Sequence, residues 1–200
     1  MLTVHHLARS QSERVVWLCE ELDLPYELVR YERDASGQAP AAFRALSDFQ
    51  TAPVITEGGL TLGESGAIVE YILRRHAGGR LLFGPEHPDF AAFLFWFHFA
   101  NGSFVPGLML EHFAPDIAAA PDSRNARARR MIEARLGEAP YFAGESFSAA
   151  DIMMDLPCFL ARKDLADYPN TAAYLARMHE RPALRCALAK AEPDDQPRVV

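Results

Sequence analysis

The sequence predicts an α/β domain of order β-α-β-α-β-β-α followed by an all-α domain. Three observations carry this expectation. Residues 1–77 alternate strand and helix signals, residues 89–200 carry helical patterns only, and residues 78–88 between them hold Gly78, Gly79, Gly84, Pro85 and Pro88 and read as a linker. Half of the 200 residues are hydrophobic and 24% are charged, which suits a folded chain of one large domain or two small ones.

The elements follow in order. Leu2–His5 is a short strand. Val15, Leu18, Cys19 and Leu22 recur at i, i+3, i+4 and i+7, which predicts a helix from Ser12 to Asp23 with one apolar face. Leu24-Pro25 stops it, Tyr26–Val29 is the next strand, and Ala41–Leu46 is a short helix. Pro53–Thr56 and Leu60–Leu62 are strands joined by Glu57-Gly58-Gly59, a hairpin signal. Glu64–His76 is a helix ended by Gly78-Gly79. The first βαβ needs a parallel pair and the hairpin an antiparallel one, so the sheet is mixed.

In the second half, Asp89 to about Ala118 reads as one long aromatic-rich helix bent near Gly102 and Pro106. Helices follow at Arg124–Leu136, Ser148–Ala161, Asn170–His179 and Pro182–Lys190, with Arg127, Arg130 and Arg135 at exposed positions. The tail from Glu192 is polar and reads as frayed. The run Phe90–Leu110 is interrupted by His98, Asn101, Gly102, Ser103 and Pro106, so no apolar run of the roughly 18 residues needed to span a bilayer is expected.

Composition excludes several functions. A net charge of −7 disfavours a dedicated nucleic-acid or anionic-membrane partner. The start MLTVHHLARS shows no basic segment before a long apolar core, so no signal peptide and a cytoplasmic location are expected. Cys19, Cys158 and Cys186 are odd in number and form no CxxC, against a disulfide framework, a zinc site or a dithiol motif. His5 and His6 are strand neighbours facing opposite sides, so they cannot share one metal ion and none is expected.

Four motifs carry more specific chemistry. The first is LARSQSERVVWLCEELDLPYEL at residues 7–28. The second is Thr51-Ala52-Pro53-Val54 at a strand entry, where the X–Pro bond is tolerant of cis. The third is LGESGAI at 62–68, where Ser65 opens a helix whose free N–H groups attract an anion, unless it merely caps that helix. Glu64 beside it suits an ammonium, so the pair fits an α-amino acid end. The fourth is Ser148–Asp151, a capping box and structural.

In this order and spacing the four motifs resemble the glutathione S-transferase family over essentially the whole chain. The region around 12–22 is most similar to bacterial and fungal members that lack the catalytic tyrosine. The resemblance implies a thioredoxin-like first domain, a helical second domain and a homodimer. It implies glutathione as co-substrate without a metal, and a cis Ala52-Pro53 bond whose exposed backbone pairs with an extended peptide. It also implies conjugation of the glutathione thiolate to a small apolar electrophile, or reduction of a peroxide by it. A binding or regulatory protein on the same fold is the alternative. Thiol–disulfide exchange through a protein cysteine is disfavoured, because no cysteine occupies the loop before the first helix.

Such chemistry needs a thiol pKa lowered by about two units, or roughly 2.7 kcal/mol. Counted back from Arg14, Ser10 falls on the serine of serine-type classes. Ser12 reads as the helix cap and is the second candidate; helix N–H groups or water without a side chain are the third. The chain departs from the family at Gln50-Thr51, where many members have Gly-Lys or Gly-Gln before the proline pair. The glycine-end carboxylate then lacks its usual partner, with Gln50 or Arg9 as substitutes. For the electrophile, the aromatic stretch from Phe93 points to a pocket between the domains, with Asn101 and Phe104 as candidates against a bundle-core reading.

Overall fold

The computed structural model describes residues 1–115 and 122–193. They form two compact units. One comprises Met1–Arg80 together with the described residues from Glu180 onward; the other spans Leu81–His179.

The first unit is thioredoxin-like. Its elements are β1 (Leu2–Leu7), α1 (Glu13–Glu21), β2 (Glu27–Tyr31), α2 (Ala41–Arg44), β3 (Val54–Glu57), β4 (Leu60–Gly63) and α3 (Ser65–His76). Strand order is β2-β1-β3-β4, with β1 parallel to β2 and the other pairs antiparallel. The hairpin predicted at Glu57-Gly58-Gly59 is present: Glu57 pairs with Leu60, and Gly58 takes φ +58°, where glycine carries no Cβ penalty. Apolar side chains from β1, α1, β3 and α3 (Val4, Leu18, Ile55, Ile72) make a fully buried core.

Two sequence expectations change here. The single apolar face expected for α1 is instead burial all round, from Glu13 to Cys19. The cause is the last helix, α9 (Pro182–Ala191), which the sequence reading grouped with 89–200. It packs on α1, burying Leu184, Ala187 and Ala191. Ion pairs Arg181–Glu21 and Lys190–Glu20 tie it down. The Arg30 guanidinium donates to the Ala191 carbonyl, a cation at a helix C-terminus. Glu192, expected in a frayed tail, is ordered with a side chain only 11% exposed.

The second unit is helical, with α4 (Phe90–Phe99), a π-helical turn (Ala100–Phe104), α5 (Val105–Phe113), α6 (Arg124–Glu138), α7 (Ala149–Leu160), a 3₁₀ turn (Arg162–Asp167) and α8 (Pro169–His179). Where a bend is expected near Gly102 the helix takes a π-helical turn; the end of the expected helix near Ala118 lies outside the described residues. Phe90–Phe113 is helical throughout, and by length and composition its 24 residues are long and apolar enough to cross a membrane. Its polar residues therefore do not break the run as expected. The capping box is present. Ser148 Oγ accepts from the Ala150 N–H at 3.3 Å, and Asp151 accepts from the Ser148 N–H at 2.9 Å. Arg135, expected exposed, is half-buried and donates to the Phe142 carbonyl.

Candidate active site

Sheet register gathers three loops at one end of the first unit. β1 ends at Leu7, β3 begins at Val54 opposite His5, and β4 ends at Gly63 opposite Val54. The loop Ala8–Ser12, the turn Gln50–Pro53 and the start of α3 at Glu64-Ser65 therefore lie at the same end. The Ala52–Pro53 bond is cis, as the family resemblance implies. Among the described non-glycine residues, five have positive φ, and three of them sit in these loops: Arg9 (+53°), Gln50 (+58°) and Glu64 (+67°). Sparsely populated backbone concentrates where function holds it. Arg9, Gln50, Thr51 and Glu64 are exposed, and Ala52 is half-buried.

The start of α3 holds an anion-binding arrangement. Ser65 is its first residue and 2% exposed. Arg14 of α1, 1% exposed, donates through Nη1 to Ser65 Oγ at 3.2 Å and to Gln11 Oε1 at 2.6 Å. Ser65 Oγ donates to the same Gln11 oxygen at 3.3 Å. No hydroxyl or carboxylate caps α3: Glu64 holds the cap position without a side-chain bond. A buried guanidinium beneath a helix start adds charge to the N–H groups of the first turn, a donor set matched to a carboxylate. Arg14 and Gln11 escaped the sequence reading. The available signal was an arginine directly before the apolar run Val15–Leu18 of the first helix.

Ser10 and Ser12 meet directly, Oγ to Oγ at 2.7 Å. Ser12 is buried and Ser10 is half-exposed. Ser12 occupies the cap position of α1 but makes no side-chain cap bond, which corrects the expectation. Its hydroxyl turns back to β1 instead, reaching His6 Nδ1 at 2.8 Å and accepting the Leu7 N–H at 3.2 Å. His6 Nε2 lies 3.0 Å from Glu192 Oε1, which also accepts the Arg9 N–H at 2.6 Å. Burial works to raise the Glu192 pKa, but the hydrogen bonds from His6 and Arg9, with Arg30 nearby, hold it below the usual glutamate range. His5 faces the other way, to Tyr31 and Thr56. His6 was legible as an oddity: period-2 alternation places it with buried Leu2 and Val4 on an apolar strand face.

The electrophile candidates lie in the second unit. Phe104 is 1% exposed in its core, beside a small cavity lined by Ile132, Cys158 and Tyr168, so it follows the core reading. Asn101 is half-buried in the π turn. Among the cysteines, Cys19 is fully buried and its thiol is pushed up to about 12, mainly by burial.

Residues 4–80 match the family described as glutathione S-transferase, N-terminal domain. The chain is 32% identical to Glutathione S-transferase 3 of Schizosaccharomyces pombe, over 96% of this chain and 88% of that protein. It is 29% identical to the Escherichia coli protein named disulfide-bond oxidoreductase YfcG, over 98% of each. A crystal structure of a glutathione S-transferase from Actinobacillus pleuropneumoniae superposes with a TM-score of 0.86 at 27% identity, covering 99% of this chain and 98% of that one.

Proposed function

Because the chain belongs to the glutathione S-transferase family, we propose that its first unit binds glutathione at the loop end of the sheet and directs the thiol to a small apolar electrophile or a peroxide. The observation that carries this reading is the Gln11–Arg14–Ser65 cluster, which links the Ser10 loop to the start of α3 by hydrogen bonds. Ser65, the first N–H groups of α3 and the Arg14 charge suit the γ-glutamyl carboxylate, and Glu64 suits its ammonium. The backbone at Ala52 suits the extended cysteinyl segment. On this reading the thiol is directed toward Ser10. Glutathione supplies the nucleophilic sulfur; the protein supplies orientation and stabilisation of the ionised form.

A thiol of the chain itself is a poor nucleophile here, since Cys19 is buried and held protonated. Action in the cytoplasm as a homodimer belongs to the same reading. The test is calorimetric titration of glutathione into the wild type and Ser10→Ala, with a generic electrophile assay and a peroxide assay. Binding to both proteins with turnover lost in Ser10→Ala supports the reading. No binding at millimolar glutathione overturns it.

A further inference from the structure

We propose that Glu192, His6, Ser12 and Ser10 form a relay that takes the proton from a thiol bound against Ser10. The thiol comes from the glutathione reading above; the polarity of the relay comes from the protein's own hydrogen bonds. A carboxylate only accepts, so His6 Nε2, 3.0 Å from Glu192, carries the hydrogen of the neutral ring. Nδ1 is then an acceptor, and Ser12 Oγ at 2.8 Å donates to it. The Leu7 carbonyl is a second acceptor for the Ser12 hydroxyl at 3.4 Å, but Nδ1 is the nearer; with its single proton directed to Nδ1, Ser12 accepts from the Leu7 N–H and from Ser10 at 2.7 Å. Ser10 therefore donates inward, while its oxygen accepts the Ser12 N–H at 3.2 Å. One lone pair of Ser10 remains, on a half-exposed residue at the loop end of the sheet.

Ser10 thus meets a thiol as an acceptor. The S–H bond breaks and its electron pair stays on sulfur. Ser10 takes that proton and passes its own to Ser12, and Ser12 passes its own to His6 Nδ1. One proton moves from sulfur to imidazole, and no electrons leave the sulfur. The imidazolium then faces the Glu192 carboxylate, and Ser10 presents an O–H to the thiolate. The proton returns along the same hydroxyls to the electrophile's leaving group or to solvent. His6 and Glu192 act through Ser12 and Ser10, so they are positioning residues. The charged groups at their end of the relay are Glu192 at the end of α9 and Arg30 of β2.

Two readouts besides turnover test the relay. Imidazole nitrogen NMR of the free protein should find neutral His6 protonated on Nε2. Thiolate ultraviolet absorbance of the glutathione-saturated protein, followed against pH, gives the bound-thiol pKa. His6→Asn keeps a polar group near the Nδ1 position but cannot take a proton. Glu192→Gln keeps an oxygen for His6 and Arg9 but removes the charge. Both should bind glutathione with unchanged affinity and raise the bound-thiol pKa by about one unit, a tenfold loss of thiolate at a fixed pH below it. If His6→Asn does not fold, Glu192→Gln at the edge of the unit carries the test. Wild-type thiol ionisation in the variants overturns the relay and leaves glutathione binding standing, as does a His6 proton found on Nδ1. A wild type that binds no glutathione overturns both.

Discussion

Glu192 and His6 stand 186 positions apart in sequence, yet Glu192 Oε1 lies 3.0 Å from His6 Nε2. The residue that follows α9 thereby meets the first strand, and the groups that orient Ser12 come from segments far apart in sequence. The first unit is completed by α9, which packs on α1.

Leu184 is 1% exposed in α9. Leu184→Ala should cost about 2–5 kcal/mol by urea unfolding, the range for a buried leucine truncation. Hydrogen exchange should show protection lost in α1 as well as α9. Loss confined to α9 would contradict the packing described.

Ser10 and Ser12 both carry the relay, so both substitutions should lower turnover, but they should separate in stability because only Ser12 is buried. Ser12→Ala leaves the Leu7 N–H and His6 Nδ1 without their hydroxyl partner in a buried site, and should destabilise by about 1–3 kcal/mol. Ser10→Ala should leave the melting temperature nearly unchanged and lower turnover by about 100-fold, within the range of general acid–base contributions. Thermal melts beside steady-state rates check both.

Ser65→Ala should raise the glutathione Kd about 10-fold, the effect of losing one hydrogen bond to a charged group. Ser65 does not cap α3, but its hydroxyl accepts from the buried Arg14 guanidinium, so Ser65→Ala should also destabilise by about 1–3 kcal/mol. A large loss of stability with unchanged Kd would point to a structural role.

Asp151 gives a pH signature. Burial raises its carboxyl to about 6, against the hydrogen bonds from Phe142 and Ser148 that favour the ionised form. The folded state therefore binds the proton more tightly than the unfolded chain. The resulting stabilisation is fully present below about pH 4 and lost as pH rises through about 6, of order 3 kcal/mol in all. The stability difference between the wild type and Asp151→Asn, measured at steps across this window, should shrink as pH rises.

Native alkylation should modify Cys186 alone, and slowly. Cys19 and Cys158 are buried; Cys186 is exposed, but its hydrogen bond to Glu20 holds the thiol above its ordinary value. Labelling of all three should appear only on unfolding, as read by mass spectrometry. Rapid native labelling of Cys19 would reopen protein-thiol chemistry.

The sequence by itself determined whatever depends on neighbours along the chain. Apolar periodicity located α1, Gly78-Gly79 the end of α3, Gly58-Gly59 the hairpin, and Ser148 with Asp151 the cap. Each is an interaction within a few residues, so a local pattern suffices to specify it. Only the tertiary structure decided which polar residues act together. Arg14 lies 51 positions from Ser65 and Glu192 lies 186 from His6, and nothing local in either segment names its partner. Ser12 looked like a cap because caps are local, but the buried imidazole of His6 drew its hydroxyl back to the sheet. Phe104 looked like a candidate for the pocket, but packing drew it into the helical core. The physical reason is common to these cases: a buried donor, acceptor or ring is satisfied by whatever the folded chain places beside it, and that is settled only when distant segments pack.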